Sequence, residues 1–585
     1  MKNTFKKKNK EIFTSPSCKG YFWKKKEINK HFTYNLIKKY KLNELTANIL
    51  STRGINEEKY ENFIQPKIKN LLPNPSKIKD LDKATEKILN NIFTKKKVGI
   101  IGDFDVDGIS STALLCSFFD ALEHPYEIYI PDRIKEGYGP NINALLELSN
   151  KNCDLIITLD CGTTAHESIN YIIEKGIKVI VVDHHQQADE IPKCLVINPN
   201  RIDDTSGLKN LAAVGVTFLL LVSINRKLNE SDLRTKKKKV NLLNFLDFVA
   251  LGTICDVVPL DLLNRTFVTQ GLKILNEMKN IGLKSLCSYF NLTKRIDEYH
   301  VGFVIGPKIN ASGRIGKASR GVELLLSKDS RRADIISDEL NKLNLQRQKI
   351  ERKVENQALD MINDKDEIIC VSGVEWHPGV LGIVASKLTE KFMKPSIVIS
   401  ENTNLCSGSA RSVGNFNIGE FISRAFSDGI LEGGGGHKMA GGLKIKSEKI
   451  PLFQNYINSK KFNITMDLNK KFEEFIEISF LNINFYESIN KLAPFGVCNP
   501  KPKFCLQNCF VKFPRLVGNS HISCFLSDIY GNVVKAIAFR ANDNEIGKYL
   551  FKNNGKLLTM ICSININNWE GKDEIQLIIE DIIVT

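Results

Sequence analysis

Short apolar runs alternate with helix-like stretches between about residue 80 and residue 275. Four of these runs have the length of buried strands: Val98–Gly102, Tyr126–Ile130, Asp154–Leu159 and Lys178–Val182. Largely apolar strands that are separated by helices are typical of a parallel sheet with helices on both faces. The pattern therefore predicts an α/β domain built on a doubly wound parallel sheet, and we place it at residues 71–328.

A long helix is predicted next along the chain. Apolar residues recur at helical spacing from residue 329 to residue 362, and this segment contains neither glycine nor proline. Such a helix would connect the first domain to a second one. A smaller α/β domain is predicted at residues 363–455, with strands near Glu367–Val371 and Ser396–Ser400 and a glycine cluster at Gly433–Gly442.

The two ends of the chain differ from this α/β pattern. Short alternating runs punctuated by turn residues dominate residues 465–585, which predicts a small β-barrel. Residues 1–70 are polar, lysine-rich and weakly patterned, so we interpret them as a tail followed by a helical preamble.

The chain carries a large positive charge. Its 82 lysine and arginine residues exceed its 66 acidic residues by 16, which favours a polyanionic partner such as nucleic acid. Most of this excess lies in residues 1–40, either as a non-specific DNA tether or as compositional drift. No apolar stretch reaches the roughly 18 residues that a membrane span needs. The cysteines form no CxxC pair, so we expect reduced thiols in a cytoplasmic protein.

Acidic residues follow the predicted strands at the points where the strands end. Asp103, Asp105 and Asp107 follow the first strand, Asp160 follows the third, and the sequence Asp183-His184-His185 follows the fourth. A further acid, Asp256, follows a helical segment. Because ligands bind beyond the carboxyl ends of parallel strands, we expect these side chains to converge.

A single aspartate after a strand is most often a helix N-cap or a turn residue. Several carboxylates within a few ångströms, however, repel one another by about 4 kcal/mol per pair at an effective dielectric constant of about 20. They remain ionised together if cations neutralise them. Aspartate with histidine suits Mn²⁺ or Mg²⁺, and two such ions about 3.5–4 Å apart are a typical arrangement for phosphoester hydrolysis. Three acidic strand ends together favour the metal interpretation.

These motifs together resemble those of the DHH phosphoesterase superfamily, which is named after the sequence found here at residues 183–185. The glycine cluster resembles the associated DHHA1 domain. The segments Gly306–Arg314 and Glu375–Ile383 are most similar to the RecJ family, the bacterial single-stranded-DNA-specific exonucleases. The resemblance covers about residues 70–585 and implies that residues 465–585 are an OB-fold domain that binds nucleic acid.

The resemblance also implies a role for each motif residue. Two divalent cations, Mn²⁺ or Mg²⁺, would be held by six residues: Asp103, Asp105, Asp107, Asp160, His184 and Asp256. Asp160 would be a catalytic, shared ligand, and Asp183 would orient a histidine from behind. His185 would face the scissile phosphate and stabilise the transition state. The alternative for His185 is a purely structural hydrogen bond.

An exonuclease that starts at a 5′ end also needs a pocket for the terminal phosphate. Arginine suits this role because its planar fork forms two parallel hydrogen bonds to phosphate. The candidate phosphate- and DNA-binding residues are Arg133, Arg314, Ser409, Arg411, Gly435, Gly436 and His437. The ordinary alternatives are a solvated ion pair for a surface arginine and a tight turn for a glycine cluster.

The expected function is that of a metal-dependent exonuclease that degrades single-stranded DNA from 5′ to 3′ and releases 5′-mononucleotides in DNA recombination and repair. We expect a monomer, without membrane attachment, that works with a helicase and a single-strand-binding protein. One alternative is a DHH phosphodiesterase for short oligonucleotides or cyclic dinucleotides, although those proteins usually lack a C-terminal barrel. The other is an inactive DNA-binding scaffold, although such relatives lose the acids that this chain keeps.

Overall fold

The structure is a computed structural model that describes residues 13–583, except residues 188–189, 231–239, 291, 293–294, 364 and 570–571 and the side chains of residues 568, 569 and 572. The first twelve residues of the expected lysine-rich tail therefore lie outside the described residues. Two compact units are present: one is Ile68–Met466, and the other joins the residues up to Lys67 with those from Asp467 onward. Within the described residues, no helix has the length and apolar character to cross a membrane.

The N-terminal residues form a strand and three helices. Strand β1 (Phe22–Lys25) is followed by helices α1 (Lys30–Tyr40), α2 (Glu44–Thr52) and α3 (Tyr60–Ile64). Asparagine side chains cap the first two helices by accepting hydrogen bonds from backbone N–H groups of the first turn. Asparagine is one of the preferred residues at this position. The sequence analysis predicts no strand in this region.

The first half of the larger unit contains a five-stranded sheet and the helices around it. Its strands are β2 (Val98–Gly102), β3 (Tyr126–Tyr129), β4 (Leu155–Leu159), β5 (Lys178–Val182) and β6 (Leu195–Ile197). Its α-helices are α4 (Ile68–Leu71), α5 (Leu81–Thr94), α6 (Val106–Ala121), α7 (Ile142–Asn150), α8 (His166–Glu174), α9 (Ala213–Glu230), α10 (Leu246–Cys255), α11 (Leu262–Asn276), α12 (Ile281–Tyr289), α13 (Gly306–Ile315) and α14 (Ser319–Leu325). Short 3-10 helices occupy Pro75–Lys77 and Leu242–Phe245, and a π-helix, His300–Ile305, leads directly into α13.

The five strands are parallel, and their order across the sheet is β3-β2-β4-β5-β6. Alternate residues enter two different cores: Ile100 and Ile157 pack on one face, whereas Ile101 and Ile156 pack on the other. Helices cover both faces, which confirms the predicted doubly wound sheet. The strand order reverses between β2 and β4, and ligands bind outside the carboxyl ends of strands at such a switch point.

The predicted connecting helix is present as α15 (Ser330–Asp360). Its first half buries Ala333, Ile336 and Leu340 in the core of the first domain. Its second half buries Val354 and Ala358 in the core of the next domain. The helix therefore joins the two α/β domains by burying apolar residues in both of them.

The second domain of this unit is a smaller α/β fold, as predicted. Its strands are β7 (Ile369–Gly373), β8 (Ser396–Ser400), β9 (Leu405–Arg411), β10 (Gly433–His437) and β11 (Ala440–Lys446). Its helices are α16 (Pro378–Phe392), α17 (Ile418–Ser427) and α18 (Ile450–Asn458), with a 3-10 helix at Ser447–Lys449. The strand order is β10-β11-β9-β8-β7, in which β7 and β8 are parallel and the other pairs are antiparallel. The glycine cluster forms the hairpin at one edge of this sheet.

The C-terminal part of the chain is a closed barrel, which confirms the predicted OB-like domain. Its strands are β12 (Asn469–Phe472), β13 (Glu474–Ile476), β14 (Phe504–Val517), β15 (His521–Ser527), β16 (Val533–Ala538), β17 (Leu557–Trp569) and β18 (Lys572–Ile583). Its helices are α19 (Ile483–Asn490) and α20 (Glu545–Lys552), with a 3-10 helix at Ile478–Phe480. Five strands pair in the order β14-β15-β16-β18-β17, and β17 closes the barrel by pairing with β14.

The N-terminal residues are part of this barrel unit. Strand β1 pairs in parallel with β12, and Trp23 is buried against the barrel core. The indole nitrogen of Trp23 donates a hydrogen bond to Asp581 Oδ2 at 2.8 Å. Lys26 forms an ion pair with the buried Glu473. Part of the lysine-rich segment is therefore built into the fold, which its interpretation as a tail does not anticipate.

Candidate metal centre and phosphate pocket

The first aspartate motif lies between β2 and α6, at the carboxyl edge of the sheet. Asp103 directly follows β2, and its backbone N–H donates to Leu159 O of β4. Asp105 caps α6, because its Oδ1 accepts the N–H groups of Asp107 and Gly108 at 2.9 and 3.1 Å. A Cβ atom on Gly108 would lie 2.6 Å from Asp103 O. Glycine at this position therefore lets the helix start close enough to the strand for three carboxyl groups to share one loop.

Asp107 is held from the opposite side by the helices α9 and α10. Its buried carboxylate accepts the N–H groups of Ala213 and Val214, at 2.6 and 3.0 Å, where α9 begins. The N-terminus of a helix stabilises negative charge. A Cβ atom on Gly252 of α10 would lie 2.7 Å from Asp107 Oδ1. Glycine at residue 252 therefore permits the close approach of α10 to this carboxylate.

His184 lies among acids that come from three different segments. Its Nε2 is 3.3 Å from Asp160 Oδ1, 3.6 Å from Asp256 Oδ2 and 3.8 Å from Asp107 Oδ2. Asp160 follows β4 with a left-handed backbone (φ 63°), and Asp256 ends α10. The sheet and α10 thus bring residues that are more than 140 positions apart in sequence into one cluster.

The donors of this cluster fit the predicted divalent cations. Among the described residues, three sets of three donors lie within 4.8 Å of one another: Asp103 with Asp105 and Asp160, Asp107 with His184 and Asp256, and Asp160 with His184 and His185. Asp160 Oδ1 is buried and accepts no hydrogen bond from the described residues, as expected of an atom whose partner is a cation. Carboxylate oxygens with a histidine nitrogen are suitable ligands for Mn²⁺ or Mg²⁺.

Burial and mutual repulsion raise the pKa values of these acids. The pKa of Asp107 rises to about 7, because its burial and the charge of Asp256 both disfavour ionisation. Burial and the charge of Asp105 raise the pKa of Asp256 to about 7 as well. Burial and neighbouring aspartates hold the pKa values of Asp103 and Asp160 well above their ordinary range. The cation-free centre therefore retains protons near neutral pH, and bound cations displace them.

Asp183 is buried behind the two histidines. Its Oδ1 accepts the backbone N–H groups of His184 and His185, and its Oδ2 accepts that of Thr163. Burial alone would raise the pKa of Asp183, but the hydrogen bond from His185 and the charges of both histidines hold the pKa below its ordinary value. Asp183 is therefore an ionised anchor, a position that suits the orienting role predicted for it.

His185 is held by Asp183 and by a tyrosine that the sequence analysis missed. Its Nδ1 lies 2.8 Å from Asp183 Oδ1 and 3.1 Å from the hydroxyl of Tyr138. Tyr138 donates its own proton to Asp160 O at 3.0 Å. Burial opposes protonation of His185, but the hydrogen bond and charge of Asp183 raise its pKa to about 9. With Nδ1 engaged, Nε2 is the ring nitrogen that can reach a substrate.

Two asparagines, also missed from the sequence, fix the loop that carries the histidines. Asn198 Nδ2 donates to His185 O at 2.8 Å, and Asn200 Nδ2 donates to His184 O at 2.6 Å. Both residues follow the short strand β6 in the sequence Asn-Pro-Asn. In the sequence, these two asparagines could have been identified as polar residues that follow a further apolar run, in the same way as the aspartates follow the other strands.

Three half-buried arginines gather beside the first aspartate loop. Arg133 lies over the ring of Phe104, 4.9 Å from its centroid. Arg314, near the end of α13, donates Nη1 to Gly379 O in the first turn of α16 at 3.2 Å. Arg411 is the last residue of β9. It lies in the same region, because its positive charge and that of Arg133 both lower the pKa of Arg314. The two α/β domains therefore contribute jointly to one positively charged pocket.

These guanidinium groups have no acidic partners among the residues that the structure describes: no carboxylate lies within 4 Å of Arg133, Arg314 or Arg411. Burial lowers the pKa of each, and the charges of Arg133 and Arg347 contribute to lowering that of Arg314 to about 10. Partly desolvated cations that lie near one another favour a bound anion, and the guanidinium fork fits phosphate. Arg347 of α15 differs from these three, because its guanidinium pairs with Glu351 of the same helix at 2.5 Å and acts on Arg314 only through its charge.

The other predicted phosphate-binding residues lie on neighbouring strands of the second domain. Ser409 Oγ accepts a hydrogen bond from Arg411 Nη1 at 3.4 Å, so Ser409 borders the pocket. Gly435, Gly436 and His437 lie on the edge strand β10, which β11 separates from β9. Contact of this hairpin with DNA stays a prediction.

Comparison with known protein families matches three segments of the chain. Residues 97–253 match the DHH family, N-terminal domain; residues 366–461 match the DHHA1 domain; and residues 473–581 match the RecJ OB domain. These segments correspond to the parallel-sheet domain, the smaller α/β domain and the barrel.

Individual relatives resemble the chain over nearly its whole length. A curated protein of Bacillus subtilis (strain 168), the single-stranded-DNA-specific exonuclease RecJ, is 32% identical over 570 residues, which are 94% of this chain and 69% of that protein. The crystal structure of RecJ in complex with Mn²⁺ from Thermus thermophilus is 26% identical, with 96% and 79% of the two chains covered and a TM-score of 0.80. The corresponding structure with Mg²⁺ is 24% identical, with 96% and 78% covered and a TM-score of 0.75.

The charge cluster predicts that Asp160→Asn stabilises the cation-free protein above pH 7, where Asp107 and Asp256, whose pKa values are about 7, become charged. Removing one buried charge relieves repulsion, and the free energy of unfolding should rise by roughly 1–4 kcal/mol. With Mn²⁺ bound, the wild type should be more stable than the variant, because the wild-type chain binds the cation more tightly. Thermal unfolding followed by circular dichroism, with and without Mn²⁺, measures both effects.

The matched control is Asp154→Asn. Asp154 precedes the same strand, β4, at its other end and pairs with Lys96 at the surface. This variant should respond to Mn²⁺ as the wild type does. A lower cation-free melting temperature for Asp160→Asn, together with an undiminished gain from Mn²⁺, would contradict the charge account.

Proposed function

The chain belongs to the RecJ family of single-stranded-DNA-specific exonucleases, and from this we propose that it hydrolyses single-stranded DNA from the 5′ end in a reaction that requires divalent cations. The observation that carries the proposal is the acidic cluster beside the arginine pocket. The acidic cluster, at the carboxyl edge of the sheet, would bind cations, and the arginines beside it would bind an anion. A DNA end with a terminal phosphate and a scissile phosphodiester matches these two sites.

Each group of residues has a defined task in this reaction. The six ligands hold the cations: Asp103, Asp105, Asp107, Asp160, His184 and Asp256. Bound cations neutralise charge that develops on the phosphate and lower the pKa of a water molecule. His185 Nε2 donates a hydrogen bond to the scissile phosphate or protonates the leaving oxygen, and Asp183 keeps the ring in place.

The arginine pocket defines the 5′ end. Arg314 and Arg411 grip the terminal phosphate through charge-assisted hydrogen bonds, and Arg133 lies between this phosphate and the acidic loop. Anchoring one phosphate fixes which phosphodiester reaches the metal centre, so the enzyme releases 5′-mononucleotides. The proposal is supported by the absence of acidic partners for these three arginines within the described residues.

The alternative activities have less support. A phosphodiesterase for cyclic or very short substrates has no need of the C-terminal barrel, which matches the RecJ OB domain. A DNA-binding scaffold has no need of six cation ligands, and all six lie together in this chain. We further propose that the enzyme is a cytoplasmic monomer that acts in recombination and repair with a helicase and a single-strand-binding protein. The fourteen free cysteines are consistent with that compartment.

The direct test is digestion of DNA labelled at the 5′ or the 3′ end. Wild-type protein with Mn²⁺ or Mg²⁺ should release labelled mononucleotide first from the 5′-labelled single strand, and a blunt duplex should resist. Asp160→Asn and excess chelator should each reduce the rate by at least about 10³-fold, because electrostatic stabilisation of the phosphate is lost. Early release from the 3′-labelled strand would overturn the proposed polarity, and equal digestion of the duplex would overturn the strand selectivity.

The phosphate pocket predicts that Arg411→Ala lowers the preference for a 5′-phosphorylated strand over a 5′-hydroxyl strand by roughly 10–100-fold, the value of a hydrogen bond between charged groups. Arg411→Lys should recover part of the preference, because lysine keeps the charge but not the fork. The ratio of kcat/KM for the two strands measures the effect.

Arg424→Ala is the control for this series. Arg424 is exposed on α17 and pairs with Glu420 in the same helix. It should leave the ratio unchanged. An unchanged ratio in Arg411→Ala would remove Arg411 from the pocket.

A further inference from the structure

Two aromatic side chains of the larger unit are unusually exposed. Tyr299 and Phe303 are 60% and 72% accessible to solvent. Their rings stack on each other with centroids 5.1 Å apart and an interplanar angle of 27°. Contiguous exposed apolar surface can mark a binding site, and the flat faces of stacked rings suit a ligand that is itself flat. A ligand with a flat apolar face would therefore fit this aromatic pair.

The aromatic pair lies on an element that packs beside the metal centre. Phe303 belongs to the π-helix His300–Ile305, and such helices are rare and occur frequently at functional sites. The other face of this helix is fixed, because Val301 and Ile305 are fully buried. Val301 O accepts a weak hydrogen bond from Cys255 Sγ at 3.8 Å, and Cys255 directly precedes the cation ligand Asp256.

The same helix continues past the acidic loop to the arginine pocket. The π-helix runs into α13, where Asn310 Oδ1 accepts the N–H of Val106 between two of the motif aspartates. Arg314 lies near the end of α13. Phe303 and Arg314 are therefore about 16 Å apart along one helix, at 1.5 Å per residue. Along this axis, the aromatic pair lies toward the first turn and the anion pocket toward the last, and segments that carry cation ligands contact the helix at Val301 and at Asn310.

We propose that Tyr299 and Phe303 form a stacking platform for unpaired bases on the 3′ side of the scissile phosphate. The inference rests on the proposed function, since a strand held by its 5′ phosphate at Arg314 passes the metal centre and then reaches this platform. Base stacking on aromatic rings tolerates any sequence, because every base has a flat face. Bases inside a duplex are already stacked on both faces, so the platform favours single strands.

Substitution of the pair should weaken substrate binding more than chemistry. In the double variant Tyr299→Ala/Phe303→Ala we expect KM for a 5′-phosphorylated single strand to rise roughly 5–100-fold, the range found for loss of base stacking, while kcat changes little. Tyr299→Phe/Phe303→Trp keeps two stacking rings and should retain a KM near that of the wild type. Phe93→Ala is the control, because Phe93 is an exposed aromatic residue at the end of α5, just before β2 begins at the other edge of the sheet.

Strands with a single abasic site locate the platform. With the wild type, moving the abasic site along the strand from the second nucleotide onward should reveal positions where KM rises, and in the alanine double variant this rise should disappear. The platform would be overturned if KM were unchanged in the double variant, or if abasic sites raised KM in that variant as much as in the wild type. The aromatic pair would then be a contact site for a protein partner. Failure of the proposed function would look different from failure of the platform. In that case the wild type would cleave none of the strands, even in the presence of cations.

Discussion

Repulsion among buried carboxylates is the constraint on which this structure depends. Asp103, Asp107 and Asp160 are almost inaccessible to solvent, and Asp105 and Asp256 lie beside them. Without compensation, such a cluster either takes up protons or forces the fold apart. The raised pKa values of Asp107 and Asp256 are the signature of that conflict. Divalent cations resolve it, and the same cations supply the chemistry for phosphodiester hydrolysis.

The surrounding fold serves to hold these charges in place. The parallel sheet delivers aspartates from β2 and β4 to one edge, and helix N-termini at α6 and α9 stabilise two of them through backbone N–H groups. Gly108 and Gly252 allow the helices to approach closely. The arginines beside the acidic loop present the reverse problem, because within the described residues no carboxylate lies within 4 Å of any of the three. In the proposed function, a phosphorylated DNA end would satisfy the arginines as cations would satisfy the aspartates.

Much of this arrangement could be predicted from the sequence. Apolar runs such as Lys178–Val182 have the period and length of buried strands, and acids at their ends indicate the metal centre. Other features could not be predicted because they depend on tertiary partners. Leu405–Arg411 is rich in small polar residues and is a strand because β8 and β11 flank it. Phe22–Lys25 becomes a strand by pairing with residues more than 440 positions later. Tyr138 gains its role because folding places its hydroxyl against His185.

Proton release on cation binding shows directly whether cations relieve the repulsion among these carboxylates. Titration of the cation-free protein with Mn²⁺ at neutral pH, by calorimetry in buffers of different ionisation enthalpy, counts the protons that leave. We expect release of about one or more protons per chain, and the number should fall as the pH is raised above about 7, the pKa of Asp107 and Asp256. Asp247, whose pKa burial also raises to about 7, should keep its proton because it lies outside the donor groups. Tight binding of Mn²⁺ without any proton release at neutral pH would contradict the account.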